Sequence, residues 1–297
     1  MTEPLLSTTE LEQLQWRVLE RRRLSRHAVA APFAGQQTSV FRGHGMELEE
    51  VRAYQPGDDV RRMDWRATAR TGRPVVKVFR EERSRGLFLL VDRGPAMRFG
   101  TRGELKAARA ARVAAILAFS ALAGRDSVAG IVAGGGEEFF PPARNLEGTL
   151  ALLRAACAPL PEEYKPLPIE RLIEQSRRAA ERGASICLIS DFARLHEHHV
   201  PPLIRLATRH NVLAVRIVDP GEEELPNAGK LRIISPATGR ICVIDTSDAT
   251  LRARYAKAMA ERSAALENLF RRAGIALHQI HTHRDVLQEM ENLDLPT

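Results

Sequence analysis

Short, continuous apolar runs alternate with longer stretches of helical period through most of the chain, and that alternation predicts its architecture. Leu87-Phe88-Leu89-Leu90-Val91 has no polar interruption, as expected of a strand buried on both faces. Residues 185–190 read as another buried strand, and 211–218 as a strand that ends at Asp219-Pro220-Gly221. Residues 127–132 and 275–280 read as further strands, and 137–140 as a short one after the turn Gly134-Gly135-Gly136. Between them, the Ala- and Leu-rich segment 103–123 predicts a long helix. Segments 146–156, 169–182, 201–209 and 246–273 predict four more. Two strand-like pieces, 229–234 and 240–244, look like a hairpin. Strands alternating with helices predict an α/β fold with a mostly parallel sheet and helices on both faces.

The first 82 residues are patterned differently. Residues 8–27 read as a helix, with Ser7 or Thr8 as N-cap and Leu11, Leu14, Val18 and Leu19 at helical spacing. Arg21, Arg22, Arg23 and Arg26 place cations near its C-terminus, where the helix dipole favours them. Residues 30–82 are rich in turn formers and charge, with one β-like stretch at 74–79. That is too little apolar material to fold alone, so the segment is expected to pack on the α/β domain. The expected organisation is 1–82 as helix plus signature segment, 83–290 as the α/β domain with a hairpin insertion at about 227–245, and 291–297 as a tail.

Composition narrows the function classes. The 27% of charged residues against 44% hydrophobic is ordinary for a water-soluble globular chain. The net charge of +7 permits an acidic partner, but the arginines are interleaved with Asp and Glu, so nucleic acid is not the expected partner. Cys157, Cys187 and Cys242 show no metal-type spacing and point to a reducing compartment. The apolar stretch 113–124 is well short of the ~20 residues that span a bilayer, so no transmembrane segment and a cytoplasmic location are expected.

Ligands on doubly wound sheets sit at the carboxyl ends of the strands, and two strands end in aspartate there: Asp92 and Asp191. With Thr149 or Ser190 they offer oxygens to a hard cation such as Mg²⁺. The intervening loop, Arg93-Gly94-Pro95-Ala96-Met97, has no side-chain oxygen, and Arg93 adds positive charge where the cation would sit. A second constellation runs through Arg52, Tyr54, Gly57, Asp58, Asp59, Arg61, Asp64, Trp65 and Arg70. Its arginines, acids and aromatics suit either a structural clasp or an interface. A metal-dependent hydrolase using Asp58, Asp59 and Asp64 is the enzymatic alternative. His196-Glu197-His198-His199 and His281-Thr282-His283 could trap a transition metal but lack flanking ligands, so loop histidines are the expected reading. No phosphate-loop, nucleophile-elbow or HExxH motif occurs.

Gly43-His44-Gly45-Met46-Glu47, followed by Arg52-x-Tyr54-x-x-Gly57-Asp58-Asp59-x-Arg61-x-x-Asp64-Trp65 and Ala69-Arg70, resembles the signature of the bacterial family called domain of unknown function fifty-eight. Glu81-Glu82, the strand end at Asp92 and Phe99-Gly100 fit the same pattern. The resemblance implies a von Willebrand factor A-like, Rossmann-like fold. It also implies association with a MoxR-type AAA+ ATPase, and with membrane-bound von Willebrand A proteins, in assembling or maturing a client complex. In that fold a metal-ion-dependent adhesion site opens with Asp-x-Ser-x-Ser. Carried over, that loop begins at Asp92 with Gly94 and Ala96 in place of both serines, the threonine falls on Thr149 and the later acid on Asp191. The expectation is therefore a non-enzymatic adaptor with a degenerate metal site and no firm cofactor.

Overall fold

A capping box starts the first helix, α1 (Thr8–Val29): the Ser7 amide donates to Glu10 Oε2 at 2.8 Å, and the Glu10 amide to Ser7 Oγ at 3.2 Å. The computed structural model describes residues 3–29, 48–55, 63–79, 86–161, 164, 168–181, 183–234 and 239–291. It divides the chain into Arg42–Ser84 and a larger unit of Met1–Phe41 with Arg85–Thr297. Helix α1 therefore belongs with the main body and not with the signature segment, as the expected 1–82 grouping had it. Leu6, Leu11, Leu14 and Val18 are buried in the main core, while Leu19 is exposed.

The smaller unit holds strand β1 (Leu48–Ala53), helix α2 (Trp65–Thr71) and strand β2 (Val75–Phe79). The two strands pair antiparallel, with Arg52 opposite Val76. Asp64 caps α2, its Oδ1 accepting from the Arg66 and Ala67 amides at 3.1 Å each. Gly72 ends the helix at φ 68°, the left-handed conformation that favours glycine there.

The larger unit continues through β3 (Leu87–Asp92), a 3₁₀ turn (Pro95–Arg98), α3 (Lys106–Ala123), β4 (Val128–Ala133), β5 (Glu137–Ala143) and α4 (Leu146–Cys157). Next come α5 (Ile169–Ala179), β6 (Ser185–Ser190), a 3₁₀ turn (Glu197–His199), α6 (Val200–Ala207), β7 (Asn211–Val218) and α7 (Pro220–Glu223). The expected hairpin comes after them as β8 (Lys230–Ile234) and β9 (Ile241–Asp245), then α8 (Ala249–Arg272), β10 (Ala276–His281) and α9 (Val286–Glu291). The short helices α2, α7 and α9 carry no long apolar period and are not marked by the sequence pattern.

Six strands form the central sheet in the order β5-β4-β3-β6-β7-β10, all parallel except the edge strand β5. Counted along the chain this is the doubly wound order, which reverses between β3 and β6, and it is the von Willebrand factor A-like arrangement the resemblance implies. Alternate residues of β3 feed two cores. Leu89 and Val91 join α1, α3, α4 and α9 on one face, and Phe88 joins α5, α6 and α8 on the other.

A buried aspartate fixes the loop between β3 and α3. Asp219, just past β7, accepts from the Thr101 amide at 2.9 Å, the Thr101 hydroxyl, the Gly221 amide at 2.9 Å and the Thr282 hydroxyl at 2.7 Å. One carboxylate thus ties the loop before α3 to the ends of β7 and β10. Burial works to raise its pKa, but the hydrogen bonds from Thr101, Thr282 and Gly221 outweigh it and hold the carboxyl below its ordinary value.

Two substitutions test this packing and this carboxylate. Val18→Asp puts a charge into the main core and is expected to cost about 3 kcal/mol or more, whereas Trp16→Asp, at a site 63% exposed, should stay within about 0.5 kcal/mol; thermal melts of the full chain compare them. Because the folded-state pKa of Asp219 is depressed, its ionisation stabilises the fold above the unfolded-state value and that contribution is lost as pH falls through the folded value. Asp219→Asn should destabilise at pH 7 by about 1–3 kcal/mol, and the gap to wild type should close on acidification below about pH 4. A gap that widens in acid would contradict the assignment.

Candidate functional site

Strands β3 and β6 lie side by side where the winding reverses, so Asp92 and the residue after β6, Asp191, share the carboxyl rim. Both carboxylates are satisfied from within the chain. Asp92 Oδ1 accepts the Gly94 amide at 2.8 Å and its Oδ2 accepts the Ser190 hydroxyl at 2.6 Å. Burial pushes the Asp92 carboxyl above its ordinary range, with the Ser190 hydroxyl opposing and Asp191 adding to the rise. A Cβ at Gly94 would stand 3.0 Å from Asp92 Oδ1 and 3.4 Å from the Tyr164 hydroxyl, so the loop's tight return over Asp92 suits glycine at that position.

Asp191 Oδ1 accepts the Ala193 amide at 2.9 Å, and its Oδ2 receives the ammonium of Lys106 at 2.9 Å. Lys106 opens α3 and is fully buried, and its Nζ also lies 2.5 Å from Glu222 Oε1 in α7. Glu222 Oε2 in turn accepts the Asp219 amide at 3.3 Å. The ammonium is thus a tethered cation joining the ends of β6 and β7 to the start of α3.

The Arg93 guanidinium goes elsewhere. Its nitrogens reach the carbonyl oxygens of Ala155 at 2.7 Å, Ala158, and Pro159 at 2.7 Å, where they cap the C-terminal end of α4. The positive charge expected from Arg93 at the rim is therefore supplied by Lys106. Thr149 is placed at the wrong end. Strand β5 starts opposite Ala133, on the Asp92 side, and ends opposite Val128, so α4 begins at the far end of the sheet. Thr149 lies in its first turn, buried, and its hydroxyl has no hydrogen-bond partner among the described residues.

Two concavities flank the tethered cation. A small, largely apolar cleft of about 60 Å³ is lined by Leu172, Leu188 and Phe270, with Asp92, Asp191 and Arg194 among its polar lining. Phe192 on its wall takes a left-handed backbone, φ 55°, rare for a bulky residue; its amide donates to Ser190 Oγ at 3.1 Å, and its ring meets Phe270 edge-on. A wider groove of about 960 Å³ runs along α7 and α8, with Arg102, Arg216 and Glu222 on its walls. Lys106 contacts one carboxylate from each.

In the smaller unit, Asp64 is committed to its helix cap, Trp65 is 65% exposed, and Arg70 sits exposed in the last turn of α2. The Tyr54 amide donates to the Pro74 carbonyl at 2.9 Å, and Arg52 is a strand residue of β1. Glu47, Gly57, Asp58, Asp59 and Arg61 lie outside the described residues. Lys106 and Glu222 were not singled out by sequence reasoning. The available signal was a lysine at the amino end of an Ala- and Leu-rich helix, where the dipole disfavours a cation.

Known proteins place the chain. The family model described as "Protein of unknown function DUF58" matches residues 50–265. Relatives include the uncharacterized protein Rv1480 of Mycobacterium tuberculosis, 31% identical over 258 residues, which cover 86% of this chain and 81% of that one. The uncharacterized protein YeaD of Bacillus subtilis is 41% identical over 54 residues, 18% of this chain and 14% of that one. Among solved structures, the conserved hypothetical protein BatB from Bacteroides thetaiotaomicron aligns over 69% of this chain and 93% of its own at 13% identity, TM-score 0.42. The SpRpn10 VWA domain aligns over 70% and 94% at 12% identity, TM-score 0.40. No helix among the described residues is long and apolar enough to cross a membrane. On the extent of the family match and of the mycobacterial relative, the chain belongs to the DUF58 family.

Proposed function

We propose that this protein is a non-enzymatic adaptor that presents the rim at the carboxyl ends of β3, β6 and β7 to a protein partner without an intervening metal ion. One observation carries the reading: the Lys106 ammonium already supplies the positive charge that Asp191 and Glu222 require. A hard cation would need oxygens from several loops at about 2.0–2.6 Å. Positions 94 and 96 offer none, Thr149 is at the other end of the sheet, and Asp92 spends both oxygens on Gly94 and Ser190. The residues present do not fit a Mg²⁺ adhesion site, and the rim is a degenerate one.

The partner is a MoxR-type AAA+ ATPase, with membrane-bound von Willebrand A proteins as further members of the assembly. The sequence resemblance supports this choice, and the surface suits protein recognition. Phe99 and Leu105, 37% and 36% exposed, flank the loop that Asp219 pins, and apolar and aromatic residues beside a rigid polar frame are what interface hot spots use. On the smaller unit, Trp65 of α2 is separately exposed.

Capture of the ATPase by the purified full chain tests the proposal. Phe99→Ser and Trp65→Ala should each weaken capture about tenfold or more while leaving the melting temperature near wild type. Lys106→Met strands two carboxylates and should destabilise by about 3–5 kcal/mol. Wild-type capture should be the same with and without added Mg²⁺ or Mn²⁺; a strict requirement for either ion would overturn the metal-free rim.

A further inference from the structure

We infer that Glu170, His198 and His199 form a binding site for a divalent transition cation, for which Zn²⁺ is the natural probe. The sequence offers the histidines without a third ligand, and the fold supplies it. Glu170 lies in the first turn of α5, while His198 and His199 lie in the 3₁₀ turn that leads into α6.

The ligand atoms of the three residues all fall within 4.8 Å of one another. Both imidazole Nε2 atoms converge on one oxygen: Glu170 Oε1 is 3.3 Å from that of His198 and 3.1 Å from that of His199. Zn²⁺ holds nitrogen and oxygen ligands at about 2.0–2.2 Å, and at a tetrahedral angle two such ligands stand about 3.3–3.5 Å apart. The two carboxylate–imidazole separations are thus already close to those of ligands sharing one ion. Two imidazoles with one carboxylate favour Zn²⁺ and neighbouring transition metals over Mg²⁺ or Ca²⁺.

The surroundings meet the remaining needs of such a site. The His199 ring is buried, and its Nδ1 accepts the His196 amide at 2.9 Å and lies 3.1 Å from the His196 carbonyl oxygen. A cation on Nε2 selects the tautomer whose Nδ1–H donates to that carbonyl in place of accepting the amide, the outer-shell support that metal-bound histidines commonly have. The His198 and Glu170 side chains are 64% and 46% exposed, so one side of the site stays open to water or a further ligand. The second histidine pair is different: the His281 Nδ1 is held by Glu289 Oε1 at 2.8 Å, and among the described residues no third ligand gathers with His283. Because Ile169, Leu172 and Ile173 of α5 and Leu203 of α6 line the apolar cleft, a cation here would tie two walls of that cleft together.

The test titrates the full chain, freed of metal by chelator and desalting, with Zn²⁺ by calorimetry and with Co²⁺ by absorption. Saturable one-to-one uptake is expected, with Co²⁺ bands that Zn²⁺ abolishes and a rise in melting temperature on loading. His199 is buried, so the exposed ligands carry the test. His198→Ala and Glu170→Gln should each weaken binding about tenfold or more with the metal-free melting temperature retained, and His281→Ala should bind like wild type. Absence of saturable uptake by the wild type, or equal uptake by the Glu170→Gln/His198→Ala double variant, overturns the site.

Discussion

The rim depends on one buried ammonium. Lys106 stands at the amino end of α3, where the helix dipole opposes a cation by roughly 0.3–1 kcal/mol, and removing it from water costs several kcal/mol more. Only close carboxylates offset such a cost, and Asp191 and Glu222 both lie within hydrogen-bonding distance. A buried ion pair is weak evidence for net stability but strong evidence for a fixed arrangement, because losing one member leaves an uncompensated charge. What the Lys106 network fixes is the mutual position of three segments that the sheet alone would leave loosely related: the start of α3, the loop after β6 and the turn after β7.

That network does not stand alone. Glu222 shares its turn with Asp219, and Asp219 holds Thr101 in the loop between β3 and α3. One turn further along α3, the buried Arg109 donates to the carbonyl oxygens of Thr282 at 2.5 Å and Arg284 at 2.8 Å. Arg112 links Glu104 at 2.7 Å to Glu10 of α1 at 2.6 Å. Lys106, Arg109 and Arg112 keep helical spacing, so one face of α3 carries a line of cations, each holding a different loop or helix. The apolar faces of the same helix fill the core. The amphipathic pattern therefore does two jobs: alanines and leucines set the packing against the sheet, and the three cations set the positions of the loops at its carboxyl end.

This division explains what could be read from the sequence and what could not. Strands buried on both faces leave apolar runs, so 185–190 was legible to the residue, and 211–218 was too despite Arg216. The aspartates at strand ends were legible for the same reason, since a strand's end is a local property. Lys106, Glu222 and Glu170 act through contacts across the fold, Lys106 reaching 85 and 116 residues along the chain, and no period or spacing reports such a partner. Arg93 shows the converse error. Its place beside Asp92 in sequence suggested a charge at the rim, but an arginine is long enough to reach the C-terminal carbonyls of α4. Thr149 was misplaced because position along the chain does not disclose that the antiparallel β5 carries the backbone to the opposite end of the sheet. The smaller unit was legible only as a motif, since turn residues and charges specify no period.

Gly94 and Lys106 act on the same pair of rim carboxylates. With glycine at position 94 the loop can fold back until its own amide satisfies Asp92, and a side chain there would crowd the carboxylate. Once Asp92 is satisfied by Gly94 and Ser190, Asp191 is the rim acid still in need of a positive charge, and a soluble ion held by so few oxygens would bind weakly. A lysine tethered at the start of α3 supplies that charge at all ion concentrations. Its position is set by the helix rather than by diffusion. A rim built this way carries a permanent charge pattern, and under the proposed adaptor role partner recognition there would rest on shape and fixed charge.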